Sequence, residues 1–125
     1  MPEADGPILD EAVLTELTET TGGDIAFVRE LIETFLADTP AQLEAMTAAV
    51  EADDADALVR PSHTLKSSSA TVGAMRLSSV ARELEMAGRT GSLEPAASGR
   101  LEAARAEWRV VEEAIAAWLE RGSAE

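Results

Sequence analysis

The sequence predicts an all-α protein, an antiparallel four-helix bundle with a short additional N-terminal helix. Apolar residues recur every three or four positions in several segments, which is the spacing of one helix face. The helical segments are rich in alanine, and no segment shows the pattern of a β-hairpin. A chain of 125 residues suits one domain. We place that domain at 8–121, between a flexible N-terminal tail at 1–7 and a C-terminal tail at 122–125.

The first predicted helix runs from about Asp10 to Thr20, where a pair of glycines stops it. Asp24 can cap the second helix, whose apolar positions continue to Val50. Pro40 falls inside this pattern. Because proline lacks a backbone N–H and crowds the preceding turn, we expect it to bend or divide the helix.

The third helix is predicted to begin at Asp53 or Asp54 and to end near Val72. Pro61 should kink it locally. The fourth covers about 75–87, and a loop follows at 88–92.

Pro95 fits the first turn of the last helix, because a missing N–H is tolerated there. The apolar stripe of this helix has the alternating spacing typical of a bundle and consists of Leu101, Ala104, Trp108, Val111, Ile115 and Trp118. Helices two to five are therefore expected to form the bundle, and the first helix to cover one end.

The composition excludes several classes of function. The formal net charge of −14 repels nucleic acid and anionic membrane surfaces. There are no cysteines, hence no disulfides or thiolate chemistry. No apolar run approaches the roughly 20 residues that span a bilayer, and the acidic N-terminus is unlike a signal peptide. We expect a cytoplasmic monomer.

The chain has one histidine, His63, and one lysine, Lys66, three residues apart and so neighbours on one helix face. His63 lies about 200° around the helix from the core residue Leu65, so it should point outward. No second histidine or cysteine accompanies it, and we predict no metal site.

Small residues follow His63 on the same helix. Ser67, one turn later, would give a partner access to the imidazole, whereas Ser69 and Ala70 suit helix packing. Packing alone also explains a run of small residues, and both interpretations stay open here.

Glu85 is predicted to lie beside His63. Both residues are 11 positions from a turn near Ala74, which places them at the same height, roughly 16 Å from that turn. A carboxylate there can fix the imidazole tautomer and leave the other nitrogen as a nucleophile. The alternative is a surface ion-pair ladder of Glu85 with Arg82 and Arg89.

The run His63-Thr64-Leu65-Lys66-Ser67-Ser68-Ser69-Ala70-Thr71-Val72-Gly73-Ala74 resembles the signature of histidine phosphotransfer (HPt) domains. The resemblance extends over roughly 8–120. It implies that His63 carries a phosphoryl group, that Lys66 helps to neutralise it, and that Glu85 orients the imidazole. Ser67 takes a position that is often glycine. We expect Ser67, Ser62 and Ala70 to contact a docked partner.

The resemblance further implies a phosphoryl carrier, not an enzyme, in a two-component phosphorelay. Its partners would be response-regulator receiver domains and a hybrid sensor histidine kinase. No cofactor is expected, because the divalent cation would belong to the receiver. The chain also lacks the Gly-rich phosphate loop needed to bind ATP.

Two other functions stay open. One is a helical adaptor with an inert site, and the other is the phosphorylated domain of a chemotaxis-type sensor kinase. The polar ends of the chain favour a free-standing protein. For docking, we expect the first two helices to contribute near Ile25, Val28 or Leu14.

Overall fold

A computed structural model describes residues 7–93 and 96–123. Within these ranges the regular structure is entirely helical, which confirms the predicted all-α class. The five helices are α1 (Glu11–Thr20), α2 (Ile25–Glu51), α3 (Ala55–Thr71), α4 (Met75–Thr90) and α5 (Ala96–Ser123).

The first three helices begin in the same way. Asp10, Asp24 and Asp54 each accept a hydrogen bond on the side chain from a backbone N–H in the first turn that follows. These bonds satisfy donors that have no partner within a helix. The predicted cap of α2 is confirmed, and Asp54 is the residue that caps α3.

The helix α2 passes through Pro40 without interruption, so it is bent at most and not divided. Pro40 itself is exposed. Phe35 and Leu43, on either side of it, are buried in the same core. Their packing holds the two halves of the helix together despite the backbone hydrogen bond that proline cannot make.

The helix α4 is longer than predicted. The prediction of a loop at 88–92 is wrong for residues 88–90, which belong to the helix. Gly88 is buried within it. The terminating residue is Gly91, which adopts a left-handed conformation with φ of 80°. Its N–H bonds to the carbonyls of Ala87 and Gly88, the usual arrangement at a glycine C-cap.

At the ends of the chain, α5 continues to Ser123, two residues past the predicted end of the domain. Most of the predicted N-terminal tail, the last two residues and the expected start of the last helix at Pro95 lie outside the described residues. No helix that the structure describes is long and apolar enough to cross a membrane.

The four long helices enclose one core. The helix α3 packs against α2 and α4, α5 packs against the same two helices, and α1 packs against α2. Phe35 of α2 and Trp108 of α5 meet edge to face with ring centroids 5.4 Å apart. The largest fully buried apolar side chains are Leu14, Val28, Ile32, Met46, Leu58, Leu65, Val72, Leu77, Leu84, Val111 and Ile115.

The start of α1 is attached to the turn between α3 and α4. The backbone N–H of Asp10 donates to the carbonyl of Gly73 over 2.8 Å. A Cβ added to Gly73 would lie 2.6 Å from the carbonyl oxygen of Asp10. Gly73 also has φ of 87°, so glycine is required there both for the backbone conformation and for the close approach.

Candidate functional site

His63 lies on the face of α3 that is turned away from the core. Its side chain is 54% exposed, whereas Leu65 is fully buried. The outward direction predicted from helical periodicity is therefore confirmed. An attacking imidazole has to be reachable by a partner, and His63 meets that requirement.

The carboxylate of Glu85 lies beneath the imidazole. Glu85 belongs to α4, and its side chain is only 5% exposed. Its Oε2 is 3.1 Å from His63 Nδ1, and its Oε1 is 2.8 Å from Lys66 Nζ. The proximity predicted by counting from the turn is confirmed, since the three side chains form one connected group across α3 and α4.

Arg89 is a further member of this group. Its Nε and Nη2 donate to Glu85 Oε2 over 2.9 and 2.7 Å. The contact with the histidine and the ion pair with Arg89, which the sequence offered as alternatives, therefore occur on the same carboxylate. Among the described interactions Arg82 has no part in it. The position of Arg89 one turn after Glu85 was the sequence signal for this pair.

The surrounding cations keep Glu85 ionised. The hydrogen bond from Lys66 is the main cause that lowers the pKa of Glu85, and the bonds from Arg89 and His63 lower it further. Burial acts in the opposite direction by penalising the charged form. The net result is a pKa of about 2, compared with a usual value of 4.5.

An ionised carboxylate beside Nδ1 selects one imidazole tautomer. A carboxylate can only accept a hydrogen bond, so Nδ1 must carry the proton in this contact. The lone pair is then on Nε2, the other ring nitrogen. The arrangement therefore supplies a nucleophilic nitrogen on a ring that one buried carboxylate holds and that is 54% exposed.

Small residues lie on the buried faces of α3 and α4. Ser62 and Ser69 of α3 are fully buried, and Ser78 of α4 donates its hydroxyl to the carbonyl of Lys66 over 2.8 Å. Because Ser62 is buried, it cannot contact a docked partner, and the docking role expected for it is wrong. Ser62 follows Leu58 by four residues and precedes Leu65 by three, which places it on the core face.

The other expected docking residues differ in exposure. Ser67 is exposed and Ala70 is half-buried. On the first two helices, Val28 and Leu14 are buried, so the docking contacts expected from them are wrong. Ile25 is 41% exposed and stays available.

A shallow apolar groove of about 190 Å³ runs between α2 and α3 beside the His63 face. It is lined by Leu31, Thr34, Phe35, Asp38, Thr39, Gln42, Thr64, Ser68, Thr71 and Val72. Among the residues that the structure describes, no group of three or more histidine, cysteine or carboxylate side chains is arranged to hold a metal ion.

Comparison with known proteins agrees with the geometry. The Hpt domain family matches residues 30–121. The crystal structure of histidine-containing phosphotransfer protein B (HptB) from Pseudomonas aeruginosa PAO1 is similar, with a TM-score of 0.84 and 31% sequence identity over 93% of this chain and 97% of that one. No curated protein sequence matches the chain significantly. With the family match covering most of its length, and His63 exposed on the helix that carries the motif, the chain belongs to the Hpt domain family.

Proposed function

We propose that this chain is a histidine phosphotransfer protein of a two-component phosphorelay, which accepts and donates a phosphoryl group at Nε2 of His63. The observation that carries the proposal is the 3.1 Å contact between His63 Nδ1 and the buried carboxylate of Glu85. In the neutral imidazole this contact places the proton on Nδ1 and leaves Nε2 with the lone pair, on a side chain that is 54% exposed. The structural similarity to HptB supports the same function.

In the proposed transfer, Nε2 of His63 forms a bond to phosphorus while the bond from phosphorus to an aspartyl oxygen of the receiver breaks. The aspartate leaves as a carboxylate, and no proton has to move. The imidazole keeps its Nδ1 proton and becomes cationic. Glu85 would then serve twice, because it holds the ring before the reaction and stabilises the positive charge that develops during it.

Lys66 is the residue proposed to neutralise the phosphoryl oxygens. Its ammonium group is bound to Glu85 Oε1, yet the side chain is 31% exposed and lies one turn from His63. An ammonium group has three donors on a flexible stem. Lys66 is thus able to keep Glu85 as one partner while donating to the phosphoryl group.

The proposal assigns the remaining chemistry to the partners. Receiver domains and a hybrid sensor histidine kinase would supply and take the phosphoryl group, and the divalent cation would belong to the receiver. This chain would be a carrier rather than an autonomous kinase, without a cofactor of its own. We infer that α2 to α5 form an antiparallel four-helix bundle with α1 as an added helix, and that the protein acts as a cytoplasmic monomer.

The test is phosphoryl transfer from a phosphorylated receiver domain to the purified protein. Wild-type protein should take up label in an acid-labile, base-stable form, because a phosphoramidate has that stability. His63→Gln removes the one histidine in the chain and should take up none. Label on His63→Gln would show that another residue is the acceptor.

The same variant separates a carrier from a helical adaptor. His63 is exposed, so His63→Gln should keep its fold and still bind the receiver. A carrier loses transfer in this variant and retains binding. If wild-type protein binds phosphorylated receivers but never becomes labelled, the adaptor function is correct and the carrier function is wrong.

A further inference from the structure

We propose that Gly88 is a positioning residue for the site, because its lack of a side chain lets α4 lie close enough to α3 for Glu85 to reach His63 and Lys66. The effect of Gly88 on phosphoryl transfer rests on the proposed function. Its geometric part can be tested without any phosphoryl transfer.

Gly88 lies at a close contact between the two helices. It is buried in α4, and a Cβ added to it would lie 2.8 Å from the carbonyl oxygen of Ala55 and 2.9 Å from Cγ2 of Val59. Ordinary contacts of this kind begin at about 3.4 Å. The first of these neighbours is backbone and cannot rotate away, so a side chain at Gly88 requires the helices to separate.

This contact is one helical turn from the site on both helices. Gly88 follows Glu85 by three residues, and Val59 precedes His63 by four, so each pair shares a face of its helix. On the other side of the site, the hydroxyl of Ser78 bonds to the carbonyl of Lys66 over 2.8 Å. Glu85 therefore lies between two close contacts of α3 with α4, one at Gly88 and the other at Ser78.

The distances in the site leave little room for the two helices to separate. His63 Nδ1 and Glu85 Oε2 are already 3.1 Å apart, near the upper end of normal hydrogen-bond lengths. Relieving the clash at Gly88 needs a separation of roughly half an ångström, which would take this contact beyond hydrogen-bond range. Because a misplacement of about 1 Å can slow a positioned reaction by about 100-fold, we expect one of half that size to slow it by about tenfold.

The experiment compares Gly88→Ala with Gly99→Ala. Gly99 is also inside a helix, but a Cβ there would have no atom within 4 Å, so this variant controls for the change from glycine to alanine. The first readout is the pair of ¹⁵N chemical shifts of the His63 ring, which are unambiguous because the chain has one histidine. They report which nitrogen carries the proton.

Wild-type protein and Gly99→Ala should show the proton on Nδ1. In Gly88→Ala and in Glu85→Ala, the ¹⁵N shifts should move toward the pattern of a free imidazole. Gly88→Ala should also accept the phosphoryl group about ten times more slowly than wild type. A folded Gly88→Ala protein with the wild-type ¹⁵N pattern would overturn the inference. If no variant is ever phosphorylated but the tautomer still responds to Gly88→Ala, the positioning stands and the proposed function fails.

A second variant combines Gly88→Ala with Val59→Ala and covers the case in which crowding prevents Gly88→Ala alone from folding. The double variant removes the side-chain contact and keeps the clash with the Ala55 carbonyl. We expect it to fold and to retain the altered tautomer. A wild-type tautomer in the double variant would overturn the inference, as would failure of both variants to fold, because Gly88 would then be needed for the helical fold rather than for the site.

Discussion

At the scale of single residues, the central feature is one buried carboxylate with three partners. Glu85 binds Lys66 and Arg89 and also accepts a hydrogen bond from the imidazole of His63. A buried carboxylate without partners would favour its neutral form. Here the two cations offset the cost of burial, so Glu85 stays charged at the pH at which the imidazole is to act as a nucleophile.

Glu85→Gln should reveal this charge in the pH dependence of stability. The lowered pKa of Glu85 means that its ionised form stabilises the fold above pH 4.5, and that this contribution is lost as the pH falls toward about 2. At pH 7 the variant should be less stable than wild type by roughly 1–2 kcal/mol. The difference should shrink steadily between pH 4.5 and pH 3.

Urea denaturation of wild type and variant across this pH range measures the effect. Glu83→Gln is the matched control, because Glu83 lies two residues away in an exposed ion pair with Arg100. At pH 7, Glu83→Gln should change the free energy of unfolding by less than about 0.5 kcal/mol. A Glu85→Gln difference that stays constant from pH 7 to pH 3 would contradict the lowered pKa.

Part of the site was predictable from single residues and part was not. Counting from the α3–α4 turn predicted that His63 and Glu85 meet, because antiparallel helices have a fixed rise per residue. The sequence did not distinguish Arg82 from Arg89 as the partner of Glu85, since both lie one turn away on the same helix. That choice depends on the direction of each side chain relative to α3.

At the scale of helices, the site depends on the close packing of α3 and α4. Serine and glycine at their contact allow a close approach, as where the hydroxyl of Ser78 bonds to the carbonyl of Lys66. The loop predicted at residues 88–92 shows why sequence alone was insufficient here. Glycine is common after the end of a helix, and whether it ends one or lies inside a contact is decided by the neighbouring helix.

Ser67→Trp tests the docking face of α3. Ser67 is exposed one turn from His63, so a bulky side chain should block a receiver without disturbing the core. We expect loss of transfer with helicity and melting temperature nearly unchanged, as measured by labelling and circular dichroism. Ser67→Gly should transfer at least as fast as wild type, at a cost to helix stability of about 0.5 kcal/mol.

Arg105→Trp is the control for bulk alone, because Arg105 is exposed on α5 rather than on the His63 face. It should relay phosphate like wild type. Transfer at the wild-type rate by Ser67→Trp would place the docking face elsewhere and leave packing as the role of the small residues.

At the scale of the whole molecule, the formal net charge is −14. Like charges distributed over a compact surface repel one another and destabilise the folded state.

The predicted fold class follows from composition and periodicity, which report on averages over many residues. Docking contacts at Val28 and Leu14 were wrong because burial of an individual apolar side chain depends on which helices cover it.

Because like charges repel one another in the folded state, added salt should stabilise the protein. Raising NaCl from about 20 to 200 mM shortens the Debye length from roughly 20 Å to 7 Å and screens the repulsion. We expect an increase in stability on the order of 1 kcal/mol, or about 4 °C in melting temperature. A melting temperature that falls with added salt would show that attractive ion pairs, such as Arg121 with Glu11, outweigh the net repulsion.

The short turn between α3 and α4 has a consequence for the order of folding. His63 and Glu85 are only 22 residues apart, whereas the bond between Arg121 and Glu11 joins residues 110 positions apart. Contacts between near neighbours in sequence form quickly because closing a small loop costs little entropy. The α3–α4 hairpin should therefore form early, with the His63–Glu85 contact among the first tertiary contacts and the attachment of α5 to α1 among the last.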